Sequence, residues 1–278
     1  GDTVYLSLRA GDSALCVARQ TGSFPIRTLT LEVGDYRPLG LGAGSLALLA
    51  ALPDDEVEQV IARNREKLAP HANFDPANLL HIQTCERHVL SLLAKNGCRS
   101  LRGKRILEVG CGTGNWLRQL ILWGAQPENL NGVDLLPSRI AEAKRLCPGA
   151  VHLNCSNATA LDFPDNAFDI IVQSTVFTSI LDPHTKRQVA SEMTRLLKPT
   201  GFILWYDFFW NNRWNPDVQG VGREEIRRLF SGCRVSLKRV TLAPPLARLI
   251  APRSRVACLL LGKVPLLCTH YLGTIHKA

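Results

Sequence analysis

The chain of 278 residues is 46% hydrophobic and 21% charged with a formal net charge of +9, which fits a globular protein of one large domain, or one ordinary domain and a smaller piece. No run approaches the ~18 consecutive apolar residues of a membrane span, and the first residues lack the basic and apolar regions of a secretory signal, so we expect a cytoplasmic protein with no membrane partner. The nine cysteines are scattered without a CxxC pair, which argues against a metal site or a disulfide framework.

The front of the chain predicts a small α+β unit, residues 1–72. The first two strands flank Arg-Ala-Gly-Asp as in a β-hairpin, and a linker is predicted at 70–73. The predicted elements are strands at 3–8, 13–19 and 26–33 and helices at 43–51 and 53–67. Since the chain begins at Gly1 rather than Met, we expect further residues before it.

Residues 73–278 predict an α/β fold with a parallel sheet that carries helices on both faces, because strands and helices alternate. In chain order we expect helix 76–95, strand 104–109, helix 114–123, strand 130–134, helix 137–146, strands 150–154 and 168–173, helix 184–197 and strand 201–207. The segments 233–242 and 270–277 predict a closing antiparallel pair.

The positive charge is concentrated at the end of the chain. Residues 207–278 carry 12 basic and 4 acidic side chains, whereas residues 1–72 carry 7 and 9. Such a basic segment can favour nucleic acid or an acidic substrate. We favour the alternative, a solvated surface on which Arg stems pack over apolar groups.

The tetrapeptide LEVG occurs twice, each time with a GxGxG pattern. In the second copy a buried strand, 104–109, runs directly into Gly110-Cys111-Gly112-Thr113-Gly114 and a helix, and the next strand ends at Asp134, where a carboxylate can accept ribose hydroxyl hydrogens. In the first copy Pro38 breaks any strand before the glycines, so these are interpreted as structural turns.

The second copy resembles motif I of class I S-adenosylmethionine-dependent methyltransferases, E/D-x-GxGxG, in which the third glycine comes one position earlier than in a dinucleotide site. The resemblance covers about 73–278 and implies a Rossmann-like seven-stranded methyltransferase sheet with S-adenosyl-L-methionine as the cofactor. Asn157 stands where the family commonly has an Asp that contacts adenine. The cofactor-binding residues that the resemblance implies are Glu108, Gly110, Cys111, Gly112, Gly114, Asp134, Leu135, Asn157, Ala158 and Gln173.

The front segment, about 1–70, resembles the first part of the effector-binding domain of IclR-type transcriptional regulators. Their helix-turn-helix and the later strands of that domain have no counterpart here, so nucleic acid is not an expected partner. Exposed strand edges tend to find partners, and we therefore expect a homodimer through residues 1–52.

For catalysis, Asp207 is the preferred general base among three candidates, the others being His184 and His270. Trp210 and Trp214 are candidates for lining an acceptor pocket. DFFWNNRWNP (207–216) and LAPPLAR (242–248) resemble bacterial methyltransferases often placed near glycan or secondary-metabolite genes. We expect a methyltransferase acting on a small molecule or sugar moiety; an RNA methyltransferase and a non-catalytic ligand-sensing regulator remain as alternatives.

Overall fold

The computed structural model describes residues 4–20, 31–41, 43–68, 76–211 and 218–278. The strands are β1 (Val4–Ala10), β2 (Ser13–Gln20), β3 (Tyr36–Pro38), β4 (Ile106–Val109), β5 (Leu130–Asp134), β6 (His152–Cys155), β7 (Phe168–Ser174), β8 (Leu197–Phe208), β9 (Cys233–Leu242) and β10 (Cys268–Lys277). The helices are α1 (Ala43–Ala50), α2 (Asp54–Leu68), α3 (Pro76–Lys95), α4 (Asn115–Leu122), α5 (Pro137–Leu146), α6 (Pro183–Leu196), α7 (Arg223–Leu229), α8 (Pro244–Ile250) and α9 (Arg255–Leu261).

The main sheet has seven strands in the order β6-β5-β4-β7-β8-β10-β9. β10 runs antiparallel to both neighbours, so β9 points the same way as the other five strands. One core lies between the sheet and α3, α4 and α5, and a second lies between the sheet and α6 and α7. This confirms the predicted α/β fold. The chain reverses its winding direction between β4 and β7, and ligands of such sheets bind outside the carboxyl ends of the strands at that point.

The front unit is a three-stranded sheet, β1-β2-β3, with α1 and α2 packed on it. The predicted hairpin is present, and the sheet is anchored by Ala14, Leu39, Leu49 and Val60. The predicted third strand falls mostly within 21–30, outside the described residues; its described end, residues 31–33, is not a strand, and β3 lies a few residues later. The predicted linker at 70–73 is also outside the described residues.

The largest departure from expectation is the segment between β9 and β10, which contains α8 and α9. The sequence analysis predicted no helix in this segment. Its apolar residues instead form a small core with the start of α3, built on Ala77, Leu242, Ala247, Ala251 and Cys258. Among the described residues, no helix has the length and apolarity to cross a bilayer.

Candidate active site

The second glycine-rich loop turns the chain from β4 into α4. Gly110, Gly112 and Gly114 have φ of 69°, 53° and 76°, in the left-handed region that favours glycine. A Cβ built on Gly110 would lie 2.5 Å from the side chain of Val176, which follows β7. The loop therefore needs glycine both for its backbone conformation and for its close approach to the end of β7.

The loop is hydrogen-bonded along its length to the end of β5. The backbone amides of Gly110 and Cys111 both donate to the Val133 carbonyl, at 2.8 and 2.9 Å. The Gly112 amide donates to Asp134 Oδ2 at 2.8 Å, and the Leu136 amide donates to Asp134 Oδ1 at 2.9 Å. A carboxylate has about four acceptor sites, so Asp134 can still receive the hydroxyl hydrogens of a ribose.

Glu108 is the third residue of β4, two residues before Gly110 begins the loop. It is 2% exposed, and its Oε2 has no hydrogen-bond partner among the described residues. Burial, with the nearby charge of Asp134 adding to it, raises the pKa of Glu108 well above its usual value. A buried acceptor without a partner needs an explanation, and a donor or cation on a bound ligand would supply one.

The segment after β6 lies beside Asp134, as the adenine side of the expected cofactor requires. The Ser156 amide donates to the Asp134 carbonyl at 3.0 Å. Asn157 is exposed, and its Oδ1 accepts from the Thr159 amide at 3.1 Å, which leaves one amide lone pair for a ligand. Leu135 and Ala158 are half-buried at the same edge, so the structure brings together β5 and β6 residues that the sequence predicted.

Gln173 and Cys111 complete the predicted set in the interior of this edge. Gln173 pairs with Val109 across β4 and β7, has no exposed surface, and accepts from the Val176 amide through Oε1 at 3.3 Å. Burial raises the pKa of the Cys111 thiol, with the charges of Glu108 and Asp134 adding to it, which disfavours the thiolate that a nucleophile requires.

Asp207, the expected general base, lies at the end of β8 with no exposed surface. Its Oδ1 accepts from the Thr178 hydroxyl at 2.7 Å and from the Phe208 amide at 3.0 Å, and its Oδ2 accepts from the Thr178 amide at 3.3 Å. Burial raises its pKa to about 7. With both oxygens engaged by the turn after β7, this position favours positioning of that turn over contact with an acceptor.

The other candidate residues are dispersed. His184 is exposed at the start of α6, where the Asp182 side chain caps the helix by accepting from the His184 and Thr185 amides. His270 stacks on Tyr206, with ring centroids 4.9 Å apart, and burial lowers its pKa to about 4. Trp210 is 61% exposed, and Trp214 lies outside the described residues.

A cavity that the sequence interpretation missed lies between α3, the end of β9 and the α8–α9 segment. Its empty space is about 580 Å³, part of it open to solvent. The lining combines apolar residues, among them Leu80, Leu242 and Ala247, with the imidazoles of His81 and His88; Arg87 and Lys263 also line it. Burial lowers the pKa of both imidazoles, to about 4 for His88, so both are neutral at physiological pH.

Tyr206 links this cavity to the glycine loop. Its hydroxyl is 2.9 Å from the hydroxyl of Thr241, a cavity residue, and its ring lies 6.3 Å from that of His81. Its carbonyl accepts from the Thr175 amide at 2.9 Å, next to Val176, which contacts the loop. Both threonines have positive φ, 56° and 67°.

Comparisons with known proteins agree with this geometry. Residues 106–201 match the family model described as a methyltransferase domain. The chain is similar to a tRNA N(3)-cytidine methyltransferase of Gallus gallus, 33% identical over 112 residues that cover 37% of this chain and 30% of the relative. It is also similar to phthiotriol/phenolphthiotriol dimycocerosates methyltransferase 1 of Mycobacterium ulcerans (strain Agy99), 28% identical over 188 residues that cover 65% of this chain and 61% of the relative. The chain thus spans less than two thirds of the length of these curated relatives.

A solved SAM-dependent methyltransferase from Archaeoglobus fulgidus shares the fold, with a TM-score of 0.50 and 18% identity over 69% of this chain and 94% of that chain. The residues at the carboxyl edge also fit the cofactor, since Asp134 retains free acceptor sites and Glu108, two residues before the glycine loop, has a buried oxygen without a partner among the described residues. The chain therefore contains a class I S-adenosylmethionine-dependent methyltransferase domain, whose cofactor is S-adenosylmethionine.

Proposed function

We propose that the chain transfers a methyl group from S-adenosylmethionine to a small-molecule acceptor with an apolar portion, and that this acceptor binds in the cavity between α3, α8 and α9. The observation that carries the proposal is the cavity itself. Small-molecule sites are concave and mostly apolar with a few polar groups, and this one combines Leu80, Leu242 and Ala247 with two neutral imidazoles.

The cavity is at the correct edge of the sheet for methyl transfer. β9 points the same way as β4 and β5, so its last residues, Thr241 and Leu242, lie at the edge where the glycine loop and Asp134 are found. The contacts through Tyr206 and Thr175 connect the two regions. An acceptor in the cavity would therefore approach the cofactor from the β8 side.

Different residues are assigned to binding of the cofactor and to alignment of the acceptor. The bound cofactor supplies an already activated methyl group, so most of the rate gain can come from proximity and orientation. The glycine loop, Asp134 and Asn157 hold the nucleoside, while Glu108 offers a buried carboxyl group. His81 is a neutral imidazole of the cavity, with its ring 6.3 Å from that of Tyr206, and we assign it the acceptance of a proton from an oxygen acceptor. Asp207 is a positioning residue, which holds the turn at Thr178.

The front unit, residues 1–72, is proposed to be separate from the enzyme domain, residues 73–278. Its resemblance to the effector-binding domain of IclR-type regulators and its exposed edge strand support self-association through residues 1–52. Val4, Leu6 and Leu8 project from β1, the edge strand, with 63%, 57% and 54% of their surface exposed. We place the protein in the cytoplasm. A ligand-sensing regulator without catalysis is the alternative from another class.

RNA is the second candidate acceptor. The net charge of +8 over residues 207–278 and the similarity to a tRNA methyltransferase support it. Against it, the end of β7 and the turn after it read Gln173-Ser174-Thr175-Val176, which lacks the Asp/Asn-Pro-Pro-aromatic pattern of amino-methylating nucleic-acid enzymes and the Pro-Cys of cytosine C5 enzymes. RNA binding that rests on phosphate contacts would weaken steeply as salt rises.

The test is methyl transfer from radiolabelled S-adenosylmethionine into cell extract, separated into organic-soluble, water-soluble and nucleic-acid fractions. We expect label in the organic-soluble fraction. Ala247→Trp fills the cavity and should abolish that labelling while S-adenosylhomocysteine still binds; Ala94→Trp, at an exposed position of α3, should retain it. Label confined to RNA would refute the proposal, as would full activity of Ala247→Trp. Cofactor binding without label in any fraction would identify the regulator instead.

A further inference from the structure

The segment between β9 and β10 presents an unusual amount of apolar surface to solvent. Five large apolar side chains are exposed between residues 249 and 266. Together with the four basic residues of the same segment, Arg248, Arg253, Arg255 and Lys263, they form what we call the insertion surface. Their exposed fractions are 63% for Leu249, 66% for Val256, 59% for Leu260, 41% for Val264 and 79% for Leu266. An exposed apolar cluster of this kind marks an interaction site more often than single exposed residues do.

The same segment is purely cationic. Between residues 243 and 267 there are four basic residues and no Asp or Glu. The basic residues are Arg248, Arg253, Arg255 and Lys263, all exposed. No ion pair within the described residues involves any of them, although the Arg253 guanidinium donates to the Leu249 carbonyl. The positive charge therefore faces solvent without an acidic neighbour in its own segment.

The segment is held firmly enough to present this surface. Ala247, Ala251 and Cys258 are buried against the start of α3, and Ser254 caps α9 by accepting from the Ala257 amide at 3.1 Å. The buried residues and the exposed ones alternate around α8 and α9, so each helix has one face on the protein and one in solvent. Val256 and Leu260 are four residues apart and share the outer face of α9.

From these observations we propose that the insertion surface docks on an anionic lipid bilayer. Apolar side chains can enter the boundary between headgroups and acyl chains while flanking Arg and Lys contact the lipid phosphates. A nucleic acid would complement the cations but would leave the apolar side chains in water. A second copy of the surface would cover the apolar groups but would bring like charges together. The contact is peripheral and needs no spanning helix; it departs from the expectation of no membrane partner, which rested only on the lack of a membrane-spanning run.

Docking would also place the cavity next to the bilayer. Leu259, Gly262 and Lys263 line the cavity, while Val256, Leu260 and Val264 point outward from the same short segment. An acceptor with a lipid-like chain could then pass between the bilayer and the cavity without crossing bulk water. This consequence rests on the proposed function, whereas the docking itself does not.

The experiment measures sedimentation of the full chain with vesicles of phosphatidylglycerol and phosphatidylcholine, and with vesicles of phosphatidylcholine alone. We expect binding to the anionic vesicles that weakens as salt rises. The double variant Arg253→Glu with Arg255→Glu should weaken binding about tenfold or more. Its control is Arg99→Glu with Arg102→Glu, an equal charge change at exposed positions before β4, which should have little effect.

The apolar contribution is tested with Leu260→Asp and Leu266→Asp combined, which should also weaken binding about tenfold or more. The matched control combines Leu122→Asp and Leu146→Asp, exposed leucines on α4 and α5. Titration with S-adenosylhomocysteine verifies that each variant is folded. The proposal would be overturned if the variants and their controls lost binding equally, or if the wild type did not bind anionic vesicles. It would also be overturned if the protein bound no lipid and the insertion-surface variants instead lost RNA binding or lost a dimer. Since no step requires methyl transfer, failure here is separate from failure of the proposed function.

Discussion

Asp207→Asn should change how the stability of the protein depends on pH. The Asp207 carboxyl is fully buried, and its pKa of about 7 lies above the value of 3.8 expected in the unfolded chain. The folded state therefore retains a proton that the unfolded state loses as pH rises. The stabilisation by this proton is complete below pH 3.8 and is lost progressively as pH rises to about 7. The amide side chain of the variant would retain one acceptor oxygen and could not titrate.

The size of the effect follows from the difference between the two pKa values. Each unit of difference in pKa corresponds to ~1.36 kcal/mol, so ionisation of the Asp207 carboxyl destabilises the folded state by about 4 kcal/mol. Roughly 2.5 kcal/mol of this loss falls between about pH 5 and pH 8. Hydrogen bonds from the Thr178 hydroxyl and from the amides of Thr178 and Phe208 already act to lower the pKa. The remaining shift is the net effect of burial.

Urea unfolding of the wild type and Asp207→Asn at about pH 5 and pH 8 measures the difference directly. The free energy of unfolding of the wild type should fall more steeply with pH, by roughly 2.5 kcal/mol relative to the variant. A parallel pH dependence would show that the carboxyl titrates alike in the folded and unfolded states, and the reasoning from burial would be wrong. If Asp207 is a positioning residue, the Asp207→Asn variant should also keep measurable methyl transfer. If the variant lost activity while the turn at Thr178 was unchanged, Asp207 would instead be the general base.

Asp134→Ala should lower the affinity for S-adenosylhomocysteine about tenfold or more in titration calorimetry, and Asp134→Asn should lower it less, because an acceptor oxygen remains; unchanged affinity in the alanine variant would exclude a ribose contact. Gly112→Val and Gly103→Val both place a branched side chain at positive φ, so both should melt at lower temperature, but only the first should abolish cofactor binding. If Gly103→Val abolishes binding equally, backbone strain alone explains the loss. Leu6→Lys should convert the expected dimer to a monomer in light scattering, and a wild-type monomer at tens of micromolar would refute self-association through β1.

The cofactor edge was predictable because its signals are local. A buried strand, a glycine loop and a helix follow one another within 104–123, and the acid at the end of the next strand is fixed by the parallel register Val109 to Val133. α3 and β5 were predicted with their observed bounds, since both have clear apolar patterns and end signals. Residues that neighbouring strands bring side by side could therefore be predicted from their spacing in the sequence.

The cavity was not predictable in the same way. α8 and α9 have seven residues each, too few for a periodic apolar pattern, and their start signals are only the prolines of α8 and Ser254 before α9. His81 and His88 meet residues near 241 and 259 that are far away in the chain. A signal was nevertheless present, because His81, Thr84 and His88 occupy one face of α3, at i, i+3 and i+7.

The positive φ of Thr175 and Thr241 has a consequence for protein engineering. Left-handed backbone is unfavourable for a β-branched residue and costs of order 1–3 kcal/mol at each position, which Gly or Asn would largely relieve. Both threonines are hydrogen-bonded to Tyr206, one through its carbonyl and one through its hydroxyl. Selection for heat resistance alone would therefore favour substitutions at Thr175 and Thr241, the two residues that orient Tyr206. Such variants would have a higher melting temperature but a lower turnover.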